Sequence, residues 1–400
     1  MGLLNKFIDK FKTTITGYYY GEQSRSAPFS GEAWEQDIFR GAVDCIATHA
    51  AKGQAKHVIL NEDGKISKII NNSHYSRLLN MKPNPIMTGF ELKYRLFAQL
   101  ETQTTAIAYI KWNGNNPEMI CPVDYKRFEF REINGGGYAI EFIDYEGNQQ
   151  LLPLEDCIVI RKFYNSGQAS GDGNAPVYKV LDMSKASDEG FIECLTVSNK
   201  VRGIHKHKKA MLAEEDIKKS QDDFIARFEK AAKDGGIVSV DSMEEYTPLN
   251  VNTYSANAAQ MKEIANRIYT YLRTPEEIVQ SKYSEQVGLA WYESKIEPLW
   301  ELLSEAVTNA CFTAREKGNG NRIIFSGGVL MGTSYQTRVN IIGQTKELGV
   351  LTINEQRELL GFAPVEGGDK RQVSLNFVNA DKQDEYQSGN KQEGGDNKDE

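Results

Sequence analysis

"LLNMKPNPIMTGFELKYRLF", residues 78–97, places Pro83 and Pro85 two apart, immediately before a run with helical spacing. A residue that precedes proline is pushed out of the α region, so Lys82 and Asn84 are expected to be extended. Thr88 then stands where a helix needs its N-cap, and Glu91 follows three residues later; together they make a capping box. Phe90, Tyr94, Phe97 and Leu100 or Leu96 supply the stripe such a helix would bury. The prolines thus set the entry angle of a helix, a structural role that calls for no chemistry.

Upstream, Trp34, Ile38, Ala42, Cys45, Ile46 and His49 recur at three- and four-residue spacings, which predicts a helix over 33–54. "HVIL" (57–60), the turn "NEDGK" (61–65) and "KISKII" (65–70) predict a hairpin. Downstream the period changes. Six short β-rich runs lie between 105 and 162, from "TAIAYIKW" to "CIVIRKF", with turn signals "NGNNP", "NGGG" and "DYEGN" between them. They predict a small antiparallel sheet region, closed by the glycine-rich "NSGQASGDGNAP" (165–176).

The second half reads as mostly helical, over 177–202, 214–232, 255–273 and 285–316. Met261, Ile264, Ile268 and Leu272 share one face of the third run, which Ser255 would cap and Thr274-Pro275 would stop. Val287, Trp291, Leu299, Leu302, Ala306 and Ala310 are in phase along the fourth. Pro298 inside it predicts a kink, because its ring removes a hydrogen bond and crowds the preceding turn. "GGIVSVD" (235–241) and "EEYTPLNV" (244–251) predict two short strands. Asn354 is read as the cap of "NEQRELLG", with Gly361 at its C′ position. Residues 379–400 are polar and acidic and are expected to be disordered.

The composition narrows the function classes. The chain has 400 residues and a net charge of -8, with 40% apolar and 26% charged residues. Its length favours two or three domains or an extended subunit. The acidic balance disfavours a tight nucleic-acid clamp, which would need a basic surface, but not a channel through which DNA slides. The five cysteines never form a C-x-x-C pair, so a disulfide framework or zinc cluster is not expected and a reducing cytosol fits. Leu3, Leu4, Phe7, Ile8 and Phe11 make a short amphipathic stripe, read as docking on protein rather than on a membrane surface. Walker, dinucleotide, G-x-S-x-G and H-E-x-x-H motifs are missing, and no cofactor is expected. His205 and His207 have a spacing that could hold a metal on a strand, but the lysines around them oppose a cation. The one dense positive cluster is Lys200, Arg202, Lys206, Lys208 and Lys209. It reads either as a solvated helix end or as a surface facing phosphates or a partner. The adjacent carboxylates Glu155/Asp156 and Glu276/Glu277 are the candidates for an enzyme reading, and no base or nucleophile partners them.

The order of several segments adds to this. "NMKPNPIMTGFEL", "AYIKW", "CPVDYKRFEF", "LEDCIVIRKF", "GGIVSVDSMEEYTPLNV", "MKEIANRIYTYLRTPEEIVQSKYSEQ", "IEPLWELLSEAVTNACF" and "GVLTINEQRELLGFAPVEGGD" follow one another over roughly 35–375. In that order they resemble phage portal proteins, the head-to-tail connectors, of the long-tailed, Hong-Kong-phage type. The family's paired prolines after the stem helix are here the single Pro275. The resemblance implies an α+β portal subunit assembled as a ring of roughly a dozen copies at one capsid vertex. Its parts would be an N-terminal arm (1–32), a wing (33–176), stem helices (177–202 and 251–273), a clip (203–250), a tunnel loop (274–286), a long helix kinked at Pro298 with a return to the wing (287–329), a crown (330–378) and an acidic tail (379–400). Thr274, Pro275, Glu276, Glu277 and Lys282 would belong to the tunnel loop, and the basic cluster would mark the passage from stem to clip. The implied partners are further copies of the chain, a packaging ATPase (large terminase), a head-tail adaptor, major capsid and scaffolding proteins, and double-stranded DNA passing without sequence reading. Membranes are not among them. The protein would be a virion component assembled in the bacterial cytoplasm, and not an enzyme. The alternatives are another head-completion or capsid-associated protein, or an enzyme using the carboxylates above.

Overall fold

The structure is a computed structural model that describes residues 34–133, 136–165, 169–200, 203–207, 214–233, 244–248, 258–327, 335–346 and 349–370. In chain order it contains α1 (Asp37–Ala51), β1 (Gln54–Leu60), β2 (Ile66–Ile70), α2 (His74–Asn80), α3 (Gly89–Gln103), β3 (Thr105–Asn113), β4 (Asn116–Pro122), β5 (Arg127–Glu132), β6 (Tyr138–Ile143), β7 (Gln149–Pro153) and β8 (Cys157–Arg161). Then come α4 (Ala175–Lys200), β9 (Gly203–His207), α5 (Glu214–Lys233), β10 (Glu244–Pro248) and α6 (Ala258–Leu272). The remainder is α7 (Glu276–Val279), α8 (Glu285–Trp291), a π-helical turn (Tyr292–Ile296), α9 (Glu297–Cys311), α10 (Ala314–Gly318), β11 (Asn321–Ser326), α11 (Tyr335–Lys346) and α12 (Ile353–Leu359). The N-terminal arm, the "GGIVSVD" strand, Ser255 and the acidic tail lie outside the described residues. The chain forms two compact units, one of residues 1–174 and 272–400, the other of 175–271.

In the first unit, the predicted capping box forms: Glu91 N–H donates to Thr88 Oγ1 at 3.2 Å and Thr88 N–H to Glu91 Oε2 at 2.7 Å. α3 buries Leu92, Leu96, Phe97 and Leu100, with Lys93 and Glu101 on the same side. Phe90, expected in that stripe, is 42% exposed, although it lies only about 20° round the helix from the buried Phe97; it stands in the first turn of α3. The predicted hairpin is β1–β2, and β1 also pairs antiparallel with β11, from Gln54↔Ser326 to Ile59↔Asn321. The six β-rich runs form two three-stranded antiparallel sheets, ordered β4-β3-β8 and β5-β6-β7. Ile107, Tyr125, Phe128, Ile140, Phe142 and Leu152 make their shared core. The Tyr125 hydroxyl, carried inside, donates to Thr105 O at 2.6 Å, as a buried polar group must.

The long helix departs from expectation in phase. Glu297 N–H reaches Tyr292 O, five residues back, so one extra residue is wound into that turn. Everything after it is rotated by about 100°. The buried stripe is therefore Leu299, Trp300, Leu303, Val307 and Cys311, while Leu302, Ala306 and Ala310 are only half-buried. Pro298 is the second residue of α9, directly after the π turn, and it is the irregular turn that marks the break in the helix. In α12 the cap is Thr352, boxed with Glu355. Asn354 instead ties the following loop, donating to Val365 O at 3.1 Å and to Asp369 Oδ1 at 2.8 Å. Gly361 adopts φ +82 at the helix end, the left-handed conformation that favours glycine there.

In the second unit, the partner of β10 is β9, antiparallel from Gly203↔Pro248 to His207↔Glu244. The segment read as a helix end is thus partly a strand, because α4 stops at Lys200 and Gly203 opens an extended run. On α6, Ile264 and Ile268 are buried as expected, whereas Met261 is exposed.

Candidate functional site

Glu101 sits in the last turn of α3 and is 1% exposed. A carboxylate there is doubly unfavourable: it is buried, and it stands at the negative end of the helix dipole. Two lysines compensate. Lys162 Nζ donates to Glu101 Oε2 at 2.7 Å and Lys295 Nζ to Oε1 at 2.7 Å. Burial would push the Glu101 carboxyl up, but the paired ammonium groups outweigh it and hold it down at about 2. Lys162 is lowered: burial pushes it down, Glu101 pulls it back, and Lys295 pushes it down again. One carboxylate thus serves two buried cations.

Backbone groups join the trio to the place where the chain leaves the first unit. Lys162 Nζ also donates to Glu101 O at 3.0 Å. Asn174, the last residue of the unit before α4, donates through Nδ2 to Glu101 O at 2.9 Å and Thr102 O at 2.7 Å. Gly171 passes so close that a Cβ there would lie 2.4 Å from Lys162 O and 2.5 Å from Thr104 O, so only glycine fits.

The chain returns at Leu272, and the same long helix receives it. Pro298 has no N–H to offer Ser294 O, one turn back. That carbonyl accepts instead from Arg273 Nη2 at 2.9 Å. Arg273 has φ +54, and its own carbonyl accepts from Trp291 Nε1 at 3.1 Å. Ser294 and Lys295 are neighbours in the π turn, so one irregular turn anchors both the outgoing and the returning strand of chain.

Thr274 is buried; Pro275, Glu277 and Lys282 are exposed, and Glu276 is half-buried. The segment is folded, with α7 seated on α1, Ile278 buried, and the Cys45 thiol donating to Ile278 O. Of the basic cluster, Lys200 ends α4 and Lys206 is exposed on β9, directly opposite Glu245 of β10. Arg202, Lys208 and Lys209 lie outside the described residues. Asp156 is raised by burial and by neighbouring Glu155. The trio escaped the sequence reading, although a signal was there: Glu101 lies four residues after Phe97 on the apolar side of its helix, and Lys295 lies midway between Trp291 and Leu299.

The family model described as phage portal protein matches residues 38–361. The chain belongs to the phage portal protein family. No curated protein matches it significantly. Among solved structures, similar folds recur at low identity. A chain from the neck of a native gene transfer agent particle, computed with C12 symmetry, is 14% identical with a TM-score of 0.64, covering 86% of this chain and 95% of that one. A chain from the neck of the empty particle, computed with C6 symmetry, is also 14% identical, with a TM-score of 0.67 over 90% of this chain and 100% of that one. An HK97-family phage portal protein from Corynebacterium diphtheriae is 10% identical with a TM-score of 0.50, covering 78% and 99%. For a portal-family chain, the mixture of helices with small antiparallel sheets is the expected fold class.

Proposed function

We propose that the chain forms a closed ring at a capsid vertex, the channel through which DNA is packaged and ejected. Family membership over residues 38–361 carries this reading. The symmetric necks among the similar structures support it. The ring would bind further copies of the chain, capsid and scaffolding proteins, a packaging ATPase and a tail adaptor. The acidic net charge of -8 suits a wall past which a phosphate backbone slides rather than sticks. Burial pushes Cys45 up to about 11 and Cys311 up to about 12, and Cys157 higher still, so these sulfurs stay protonated and unreactive at neutral pH. Electron microscopy of the purified protein tests the reading: rings with a central hole are expected, and a chain that stays monomeric at high concentration with capsid or scaffolding protein present overturns it.

Within that ring, the second unit would provide the stem (α4 and α6) and the clip (β9, β10 and α5), and the clip would dock the packaging ATPase. Residues 274–286 would be the tunnel loop, presenting Glu277 and Lys282 from a folded base. Lys200, Arg202, Lys206, Lys208 and Lys209 would repeat as a positive belt, weakened at Lys206 by the facing Glu245. Replacing Lys206, Lys208 and Lys209 with glutamine is expected to weaken ATPase docking or DNA retention several-fold, more at low salt than at high. A triple variant equal to wild type in both assays would leave the cluster as solvated surface.

A further inference from the structure

Among the described residues, five that are not glycine hold a positive φ: Asn72, Thr104, Phe163, Arg273 and Ser281. Asparagine tolerates that conformation, whereas a β-branched or bulky side chain is strained by it. The threonine, the phenylalanine and the arginine all stand at the buried trio, one beside each of its members. Thr104 ends α3 at φ +60, three residues after Glu101. Phe163 follows Lys162 directly, at φ +55. Arg273, at φ +54, is bonded to Ser294 O, next to Lys295.

Two further irregularities fall on the same spot. Thr104 is 0% exposed, yet its hydroxyl has no hydrogen-bond partner among the described residues, a costly state for a buried polar group. Lys295 sits in the π turn, a winding that breaks the regular helical bonding pattern and recurs at functional sites. The ion pairs need none of this. Glycine at 104 and 163 would make the same turns without strain. The strain is instead held in place by the hydrogen bonds of the trio. When those bonds open it is released, so the open state lies closer in energy than it would in an unstrained core.

We propose that the Glu101–Lys162–Lys295 clamp is a latch. Closed, it binds the outgoing chain at Gly171 and Asn174 and the returning chain at Arg273. Open, Lys295 leaves Glu101 and the three strained turns relax together. Both chain segments that lead to 175–271 then come free, while the bodies of α1 and α3 and the paired sheets stay folded. Residues 175–271 are thereby able to move without unfolding of the first unit. This holds whether or not the chain forms rings. A clamp that served only rigidity would gain from glycine at the strained positions; a latch needs a loaded closed state.

Hydrogen exchange of the full-length chain, read at single amides by mass spectrometry, tests the latch. Lys162 N–H donates to Thr104 O, Gly171 N–H to Thr105 Oγ1, Asp172 N–H to Phe163 O and Glu297 N–H to Tyr292 O. These four amides are expected to exchange together, about a hundredfold faster than those of Leu96, Phe97 and Leu100 in α3, which wait for the unit to unfold. Thr104→Gly and Phe163→Gly remove strain and are each expected to slow all four by about tenfold. That includes Glu297, which neither substitution touches. Phe163 is 44% exposed, so its variants are expected to fold as wild type by circular dichroism. Phe163→Asn, which tolerates the same conformation, is expected to act as Phe163→Gly does. Four amides that exchange no faster than the α3 core, or Phe163 variants in which Glu297 keeps its wild-type rate, would overturn the latch and leave a rigid clamp.

Discussion

Glu101→Ala is expected to cost about 3–5 kcal/mol of folding stability, measured by chemical denaturation at neutral pH. The magnitude follows from what is left behind. Lys162 and Lys295 would lose the buried carboxylate to which both donate, and breaking a buried ion pair from one side is far more costly than losing a surface pair. Glu101→Gln preserves shape and hydrogen-bonding atoms but not charge, so it is expected to lose most of the same stability. Lys295→Met is the informative contrast. It leaves Glu101 with Lys162, removes the repulsion that helps lower Lys162, and is expected to cost much less. Equal losses for Glu101→Ala and Lys295→Met would refute the account of one carboxylate serving two cations.

The same group sets an acid limb. The Glu101 carboxyl is held at about 2 in the folded protein, below its ordinary 4.5. A depressed carboxylate contributes stability that is fully present above the unfolded value and lost as pH falls through the folded one. Wild-type stability is therefore expected to decline between about pH 4.5 and pH 2. The gap between wild type and Glu101→Gln should narrow across that window. A gap that stays constant from pH 7 to pH 2 would mean that Glu101 is not ionised in the fold.

Much of the first unit was legible because its signals are local. A proline pair, a capping threonine and a glutamate three residues on specify a helix start without reference to anything distant, and the alternating runs between 105 and 162 specify strands in the same way. β11 was not legible as the partner of β1, since the register Gln54↔Ser326 joins segments that lie before and after residues 175–271 in the sequence. The phase of α9 was not legible either. Val287, Trp291, Leu299, Leu302, Ala306 and Ala310 fit a straight helix well, and only tertiary packing chose the π turn that moves the buried face to Leu303, Val307 and Cys311. Pro298 located the irregularity, but neither the π turn beside it nor the Arg273 donor that satisfies the orphaned Ser294 carbonyl could be read from the proline alone. The basic cluster was found by composition, whereas β9 and its facing Glu245 needed the cross-strand register.

Trp300→Ala is expected to destabilise the first unit by about 3–5 kcal/mol. The indole is the largest group that the phase shift brings into the core of α9. It is 6% exposed, lies 6.1 Å from the Tyr292 ring, and donates through Nε1 to Ala50 O at 2.8 Å, which fastens the long helix to the end of α1. Truncation removes the packing and the shorter of the hydrogen bonds that Ala50 O accepts, leaving it the Gly53 N–H at 3.2 Å. The seat is made by the absence of a side chain: a Cβ on Gly53 would lie 2.5 Å from Trp300 Nε1. Gly53→Ala alone is therefore expected to cost about 1–3 kcal/mol by overpacking. The pair should be coupled. Trp300→Phe shortens the ring and frees the space at Gly53, so Gly53→Ala should cost clearly less in that background than in wild type. Additivity within about 0.5 kcal/mol across the double-mutant cycle would mean that Gly53 is not a glycine on account of Trp300, and that the long helix is held to α1 by some other contact.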